Sequence, residues 1–347
     1  MKLDKTWLMG MGLVLPLAGC PGDDSGTDTN VSTGTTSDDT TGTTSNPTTT
    51  SPTSTGTEES SSGGSSDSAD STTSEPPMEC LGIGGPNADG DDCTSNGDCA
   101  SGVCTIYTDV PLNVDAVCAA TPEDCSTRVT GTVFDFVTNE PVEGADVIVA
   151  AALQAATNPT MAMALVSDTS DADGRIDALS DGPIAAPLGI VALSGAGGYF
   201  LTATGVASPA DGATGYAVGT GIHDLWVVPE NELGNWSDEL STDPQIMPAM
   251  LPLGDAGGVV GLVRDADGAP VAGATVASTD GGSGALIRYL NDDGTFNTTE
   301  TSDLGIFVIV DPGLGEDFEA TVNGMAMGTG TAGSAAGVVF TLIFNTN

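Results

Sequence analysis

Beyond Lys5 the 347-residue chain has no lysine, and its only histidine is His223. Without a later lysine, Schiff-base chemistry and Lys–Asn isopeptide crosslinks are excluded from the rest of the chain. One histidine cannot furnish a zinc peptidase that uses several histidine ligands, and a Ser-His-Asp triad would have to be built on His223, which has no nucleophile motif beside it. His223 therefore reads as an ordinary strand residue. No GxxxxGK(S/T) or GxGxxG element opens a helix after a strand, so a phosphate cradle is not expected. Positive charge is scarce throughout: six Lys and Arg stand against 48 Asp and Glu, for a net −42. A chain so acidic cannot neutralise phosphates, which excludes nucleic acid as a partner. Aromatic residues make up 4% of the sequence, too few for an aromatic carbohydrate platform. Long apolar runs are also missing; Val338 to Phe344 is one strand's worth, far from the roughly 18 residues of a membrane span. Carboxylate chemistry survives, although aspartate is too abundant for any glycosidase-type pair to stand out.

The N-terminus carries an address. Lys2 and Lys5 form a positive n-region, Thr6 to Pro16 a short apolar run, and small residues follow, as in a secretory signal. Leu17-Ala18-Gly19-Cys20 resembles a bacterial lipobox. That resemblance implies cleavage after residue 19 and lipidation of Cys20, so residues 1–19 are expected to be a lipoprotein signal peptide and the membrane to be reached through an N-terminal lipid. Several acyl chains hold far more tightly than a single one, each buried CH₂ contributing about 0.8 kcal/mol. The mature chain would carry about −43, since Lys2, Lys5 and Asp4 leave with the signal.

Residues 20–77 are dominated by Thr, Ser, Gly, Asp and Pro, as in SNPTTTSPTSTGTEESSSGGSSDS. Such a composition buries too little surface to offset backbone entropy, so a disordered tether is expected, with a random-coil span of roughly 40 Å. The Ser/Thr/Pro content is also compatible with O-glycosylation.

Six further cysteines, Cys80, Cys93, Cys99, Cys104, Cys118 and Cys125, fall in one 46-residue window. An even number in an exported segment points to three disulfides, with the connectivity open. A zinc site is the competing reading, but DCTSNGDCASGVC lacks CxxC pairs and no histidine lies nearby. The string resembles cysteine-rich modules of secreted myxobacterial proteins, a resemblance that implies no activity. Residues 78–127 are taken as this module.

The remainder says one thing twice. VTGTVFDFVTNEPVEGADVIV, from Val129 to Val149, returns as VVGLVRDADGAPVAGATV, from Val259 to Val276. In each copy, period-two alternation is broken by an Asp/Gly/Pro turn, which predicts short antiparallel strands. Pro141 and Pro270 stand at matching places before the second strand, where a missing N–H is tolerated. Ser170 to Ile176 is echoed by Ser302 to Phe307, Tyr199 to Gly205 by Phe318 to Gly324, and Ile222 to Val228 by Val338 to Phe344. The pattern G-x-V-x-D…G-x-P-V-x-G-A-x-V followed by (S/T)-D-x-x-G resembles the carboxypeptidase regulatory-like domains. Those have a transthyretin-like β-sandwich fold and make no catalytic contribution in the enzymes they accompany. The expectation is an all-β protein, with two tandem transthyretin-like or Ig-like β-sandwiches at 128–228 and 257–347 and a connector at 229–256. They are preceded by the disulfide-rich module and the disordered Ser/Thr-rich tether.

Three Asp-rich loops offer oxygen ligands to a divalent cation: Asn87 to Asp92, Asp171 to Gly174 and Asp265 to Gly268. None completes an EF-hand; Ser180 stands where the bidentate glutamate would be needed after Asp173. Tight turns account for the Asp-Gly pairs. The reading is no cofactor, with Asn87, Asp89 and Asp91 the side chains a calcium ion would use if one bound. In the connector, Ser237 to Leu240 is expected to cap a short helical turn, and Trp236 to pack in a groove between the sandwiches. If each sandwich is self-contained, Trp236→Ala should loosen the two while leaving each fold intact.

The sequence thus points to an exported, non-catalytic protein, lipid-anchored to the outer membrane or cell surface. It would act as a structural or ligand-binding scaffold toward a protein or polysaccharide. The alternative is a carboxylate-dependent hydrolase or accessory subunit acting on envelope polysaccharide or peptide, for which paired carboxylates in a cleft at the sandwich junction would be the sign.

Overall fold

Valine and glycine at period two, Val129, Gly131 and Val133 and again Val259, Gly261 and Val263, set the first strand of each repeat, and the turn residues that follow send the chain back over it. The computed structural model describes residues 80, 82–110, 115–207, 216–279, 286–313 and 315–346. The expected signal peptide, Cys20 and the tether lie outside the described residues. Repeat one contains β1 (Arg128–Asp135), β2 (Asp146–Ala151), a short helix α1 (Ala152–Thr157), β3 (Ala164–Thr169), β4 (Arg175–Leu179), β5 (Ile190–Gly195), β6 (Tyr199–Phe200), β7 (Thr202–Ala207) and β8 (Gly219–Pro229). Helix α2 (Glu230–Leu240) follows. Repeat two contains β9 (Val259–Arg264), β10 (Ala274–Ser278), β11 (Leu286–Leu290), β12 (Phe296–Asn297), β13 (Ile306–Val310), β14 (Glu316–Val322), β15 (Met325–Ala332) and β16 (Val339–Asn345).

Repeat one stacks the sheet β4-β1-β8-β6 on strands β7-β5-β2-β3, and repeat two stacks β12-β11-β13-β9-β16 on β10-β14-β15. Inward residues at period two fill each sandwich. Val129, Val133, Val147, Val149, Ile190, Leu225 and Val227 form the first interior. Val259, Val263, Val276, Phe307, Ile309 and Phe318 form the second. The fold is therefore all-β, as the alternation implied, with one departure in strand direction. The closing strands run parallel to the opening ones, β8 on β1 and β16 on β9. First and last strands are separated by a whole sandwich, so no tight turn obliges them to be antiparallel.

The repeated motif encodes one hydrogen-bonded corner. In repeat one the Ser170 hydroxyl donates to the Val142 carbonyl (2.6 Å) and accepts from the Ala145 N–H (2.8 Å). In repeat two the Thr301 hydroxyl donates to Val271 (2.8 Å) and accepts from Ala274 (2.9 Å). Each arrangement ties the P-V-x-G-A bend to the turn before the next strand and satisfies buried backbone groups that the turns would otherwise orphan. The corner closes on Gly174 (φ +73°) and Gly305 (φ +66°). A Cβ on either would meet the Val133 or Val263 carbonyl and the ring of Pro141 or Pro270 within 3.0 Å. Glycine is required here by conformation and by space. Ser170 therefore corresponds to Thr301 rather than to Ser302, and no gap is needed. The later echo also shifts: β10 is flanked by β14 as β2 is by β5, so Phe318 to Gly324 matches β5 by ladder position, not Tyr199 to Gly205.

A further feature joins the repeats. Strand β16 pairs on its free edge with β7, in parallel, at Val339–Thr202 and Phe340–Ala203. The Thr341 hydroxyl bonds the Ala203 carbonyl (3.2 Å) and the Thr204 hydroxyl (2.9 Å) across the same seam. One sheet of nine strands, β12-β11-β13-β9-β16-β7-β5-β2-β3, thus runs through both repeats. The seam also covers two edges that would otherwise be templates for aggregation. Among the described residues no helix is long and apolar enough to cross a membrane.

Candidate functional site

All six cysteines of the N-terminal window are oxidised, as Cys80–Cys125, Cys93–Cys104 and Cys99–Cys118. The sulfurs of Cys93, Cys99 and Cys104 lie within 4.8 Å of one another because two disulfides stack in the module's interior, which leaves no thiolate for zinc. In the Asn87 to Asp92 loop the Asp91 carboxylate accepts the Ala88 N–H (2.8 Å) and the Asn87 amide donates to the Asp92 carbonyl (2.9 Å). Asp89 is exposed at the turn. Asp171 and Asp265 likewise accept N–H groups two and four residues on, at 2.9 Å. These carboxylates act as turn formers.

The module is latched to the outer face of the β4-β1-β8 sheet. Thr130 donates its hydroxyl to the Ile106 carbonyl, and the Arg175 guanidinium sits 4.8 Å from the Tyr107 ring centroid. Arg128 grips Asp177 with two parallel bonds of 2.7 and 2.6 Å. Further along, Asp109 bonds His223 through Nδ1 (2.7 Å), and its N–H donates to Asp224 (2.9 Å). Arg264, from β9, donates to the second oxygen of Asp224 and through Nε to Asn345 (2.6 Å). One polar chain, His223–Asp109–Asp224–Arg264–Asn345, therefore connects the module to both repeats, with His223 and Arg264 buried and Asp109 and Asn345 exposed at the surface. Burial pushes the Asp224 carboxyl upward, against the pull of Arg264. His223 is more than the plain strand histidine expected from sequence. Its partner is more than a hundred residues away in the chain, and local pattern carries no sign of it.

Strand β8 faces two ways. Leu225 and Val227 point into sandwich one, whereas Trp226 and Val228 point out, into a third core shared with repeat two. There they meet Phe136, Leu262, Ile306 and Val308, and the α2 residues Leu233, Trp236 and Leu240. Phe136 touches both tryptophans edge-on, at centroid distances of 5.8 and 6.4 Å. Trp236 thus packs between the sandwiches, as its position suggested, at 3% exposure. Helix α2 itself is longer than the capped turn expected, because apolar residues at 233, 236 and 240 give it a buried stripe and Glu230 and Glu232 suit its first turn. Ser237 lies inside it, donating to the Leu233 carbonyl (2.7 Å) and accepting from the Leu253 N–H (3.0 Å).

Two grooves flank this junction. One, of about 420 Å³, has an apolar floor including Phe136, Trp236 and Leu262, and a rim bearing Asn139, Glu232 and Asp292. The other, of about 550 Å³, is lined by β7, β15 and β16 and by Asp109, Asp224 and Arg264. Asp109 and Asp224 are the paired carboxylates a hydrolase would require. Both oxygens of Asp224 already accept bonds, from the Asp109 N–H and from Arg264, and one oxygen of Asp109 is engaged by His223. The pair bridges the module to both repeats.

These features define a disulfide-braced β-sandwich protein. No family model and no curated protein matches the chain. Among solved structures it is similar to the shaft pilin SpaA from Lactobacillus rhamnosus GG, at 12% identity and a TM-score of 0.18, covering 64% of this chain and 98% of that one. It is also similar to the Bacillus anthracis TIE protein, at 10% identity and TM-score 0.17, covering 64% of this chain and 34% of that one. A streptococcal ancillary pilin gives 13% identity and TM-score 0.17, over 66% of this chain and 65% of that one. Values of this size carry no argument about what this chain does.

Proposed function

We propose that the chain is a lipid-anchored envelope or cell-surface protein whose folded head is a non-catalytic scaffold, structural or ligand-binding. The observation that carries this reading is the module with its three disulfides, bonded into both sandwiches by the Asp109–Asp224–Arg264 chain. Disulfides of this density belong to an oxidising compartment, which supports export. The lipobox-like Leu17 to Cys20 and the tether at 20–77 then supply an anchor and a spacer, and the two sandwiches correspond to carboxypeptidase regulatory-like units. The commitment of Asp109, Asp224 and His223 to one another weighs against the hydrolase reading. The test is detergent-phase partition of the protein expressed with its own leader: the natural form is expected to enter the detergent phase, and the Cys20→Ala form to stay in the aqueous phase. Equal solubility of both would remove the anchor from the account.

A further inference from the structure

The groove of about 420 Å³ between the repeats combines three properties. Its floor is apolar. Its walls are two exposed apolar side chains, Val137 at 44% and Leu304 at 38%, one from each repeat. Its rim carries two carboxylates from separate elements, Glu232 on α2 and Asp292 in the turn after β11, and among the described residues neither has a cationic partner.

Among the described residues nothing supplies that cation. The chain's four arginines are committed elsewhere, three to Asp177, Asp224 and Asp243 and the fourth to the Tyr107 ring, and its only lysines are Lys2 and Lys5. A second copy would bring the same shortage. A sugar is also disfavoured as occupant, since Trp226 and Trp236 are 0% and 3% exposed and offer no open ring face for stacking. What fits an apolar slot ending in uncompensated carboxylates is a long aliphatic stem with a positive tip, the shape of a basic side chain that lays its methylenes on apolar surface and its head in a polar rim.

We propose that this groove is the docking site for a basic side chain carried by an extended segment of a partner protein. The proposal rests on the ligand-binding form of the scaffold reading, but is tested apart from the anchor. Trp226 and Trp236 both line the groove, and the remaining tryptophan, Trp7, lies in the segment read as signal peptide, so intrinsic fluorescence of the mature chain reports on occupancy. The mature full chain in detergent micelles is titrated with a capped Leu-Lys-Leu peptide, with the same peptide bearing norleucine for lysine, and with putrescine.

Saturable change in tryptophan emission with the lysine peptide is expected. Affinity should weaken about tenfold, or about 1.4 kcal/mol, in Glu232→Gln/Asp292→Asn. In Glu143→Gln/Asp89→Asn, which removes as much charge from exposed sites away from the groove, it should change less than about twofold. Equal weakening by both pairs would mean diffuse attraction to an acidic surface and overturn the proposal. So would a norleucine peptide that binds as well, marking a purely apolar slot, or putrescine binding as tightly, marking a free-diamine site. No spectral change with any probe would overturn it too. Each failure leaves the Cys20 partition result untouched, so loss of the groove and loss of the anchor are distinguishable.

Discussion

Replacing Trp236 by alanine separates two pictures of the head. If the repeats are self-contained and the tryptophan only fills a groove between them, its loss loosens their mutual placement and leaves each fold intact. The structure argues for a larger effect. Trp236 is 3% exposed and shares one cluster with Trp226 and Val228 of repeat one and with Leu262, Ile306, Val308 and Val339 of repeat two. Truncating such a residue removes its transfer free energy and leaves a cavity, together about 3–5 kcal/mol. The edge-on contact with Phe136 lies within that figure. For a unit of this size each kcal/mol moves Tm by about 2–3 °C, so a fall of roughly 6–15 °C is expected. Calorimetry under non-reducing conditions, with near-ultraviolet circular dichroism as a second probe, is the assay. One cooperative transition shifted as a whole is the expected result. A Tm within about 1 °C of the natural protein, or a melt that splits into two transitions of which only one has moved, would refute the reasoning.

Peptide mapping of the non-reduced head should recover Cys80–Cys125, Cys93–Cys104 and Cys99–Cys118 with no alkylatable thiol among the six; any other pairing would contradict the stacked interior of the module. Asp243 gives a prediction in acid. Its bond from Arg288, and then the Gln245 N–H, hold its carboxyl below the ordinary aspartate value. A depressed carboxyl contributes stability that is present above the unfolded-state pKa and lost as pH falls through the folded one. The stability gap between the natural protein and Asp243→Asn should therefore be present at neutral pH and close below about pH 4. A gap unchanged down to about pH 2 would show that the carboxylate's charge is not what ties the connector to β11.

Much of this could be read from sequence, for reasons that are local. Period-two alternation at Val129, Gly131 and Val133, and again at Val259, Gly261 and Val263, is visible without tertiary context. The matching prolines and glycines mark corners that backbone geometry dictates. An even cysteine count in an exported segment argues for disulfides, while their pairing depends on which loops come together in space. The hidden parts are all long-range. Nothing near Val339 indicates that β16 will pair with β7, because an edge strand's second neighbour is chosen by what else needs covering. Asp109 and His223 are 114 residues apart, and the commonest acid in the chain beside its only histidine gives no pattern to detect. The grooves at the junction arise from how the repeats pack, so their rims, at Glu232 and Asp292, are drawn from loops and a helix that periodicity passes over.

The central claim is that both repeats form one unit through the β7–β16 seam and the aromatic core beneath it. Hydrogen exchange of the intact head, followed residue by residue under native conditions, tests it most directly. Amides of Leu201 to Thr204 and Val339 to Thr341 should open with the same free energy as those of β1 and β9, because the seam can be exposed only by global unfolding. Fast exchange at the seam with the inner strands of each repeat still protected, or a different opening free energy for each repeat, would contradict the account.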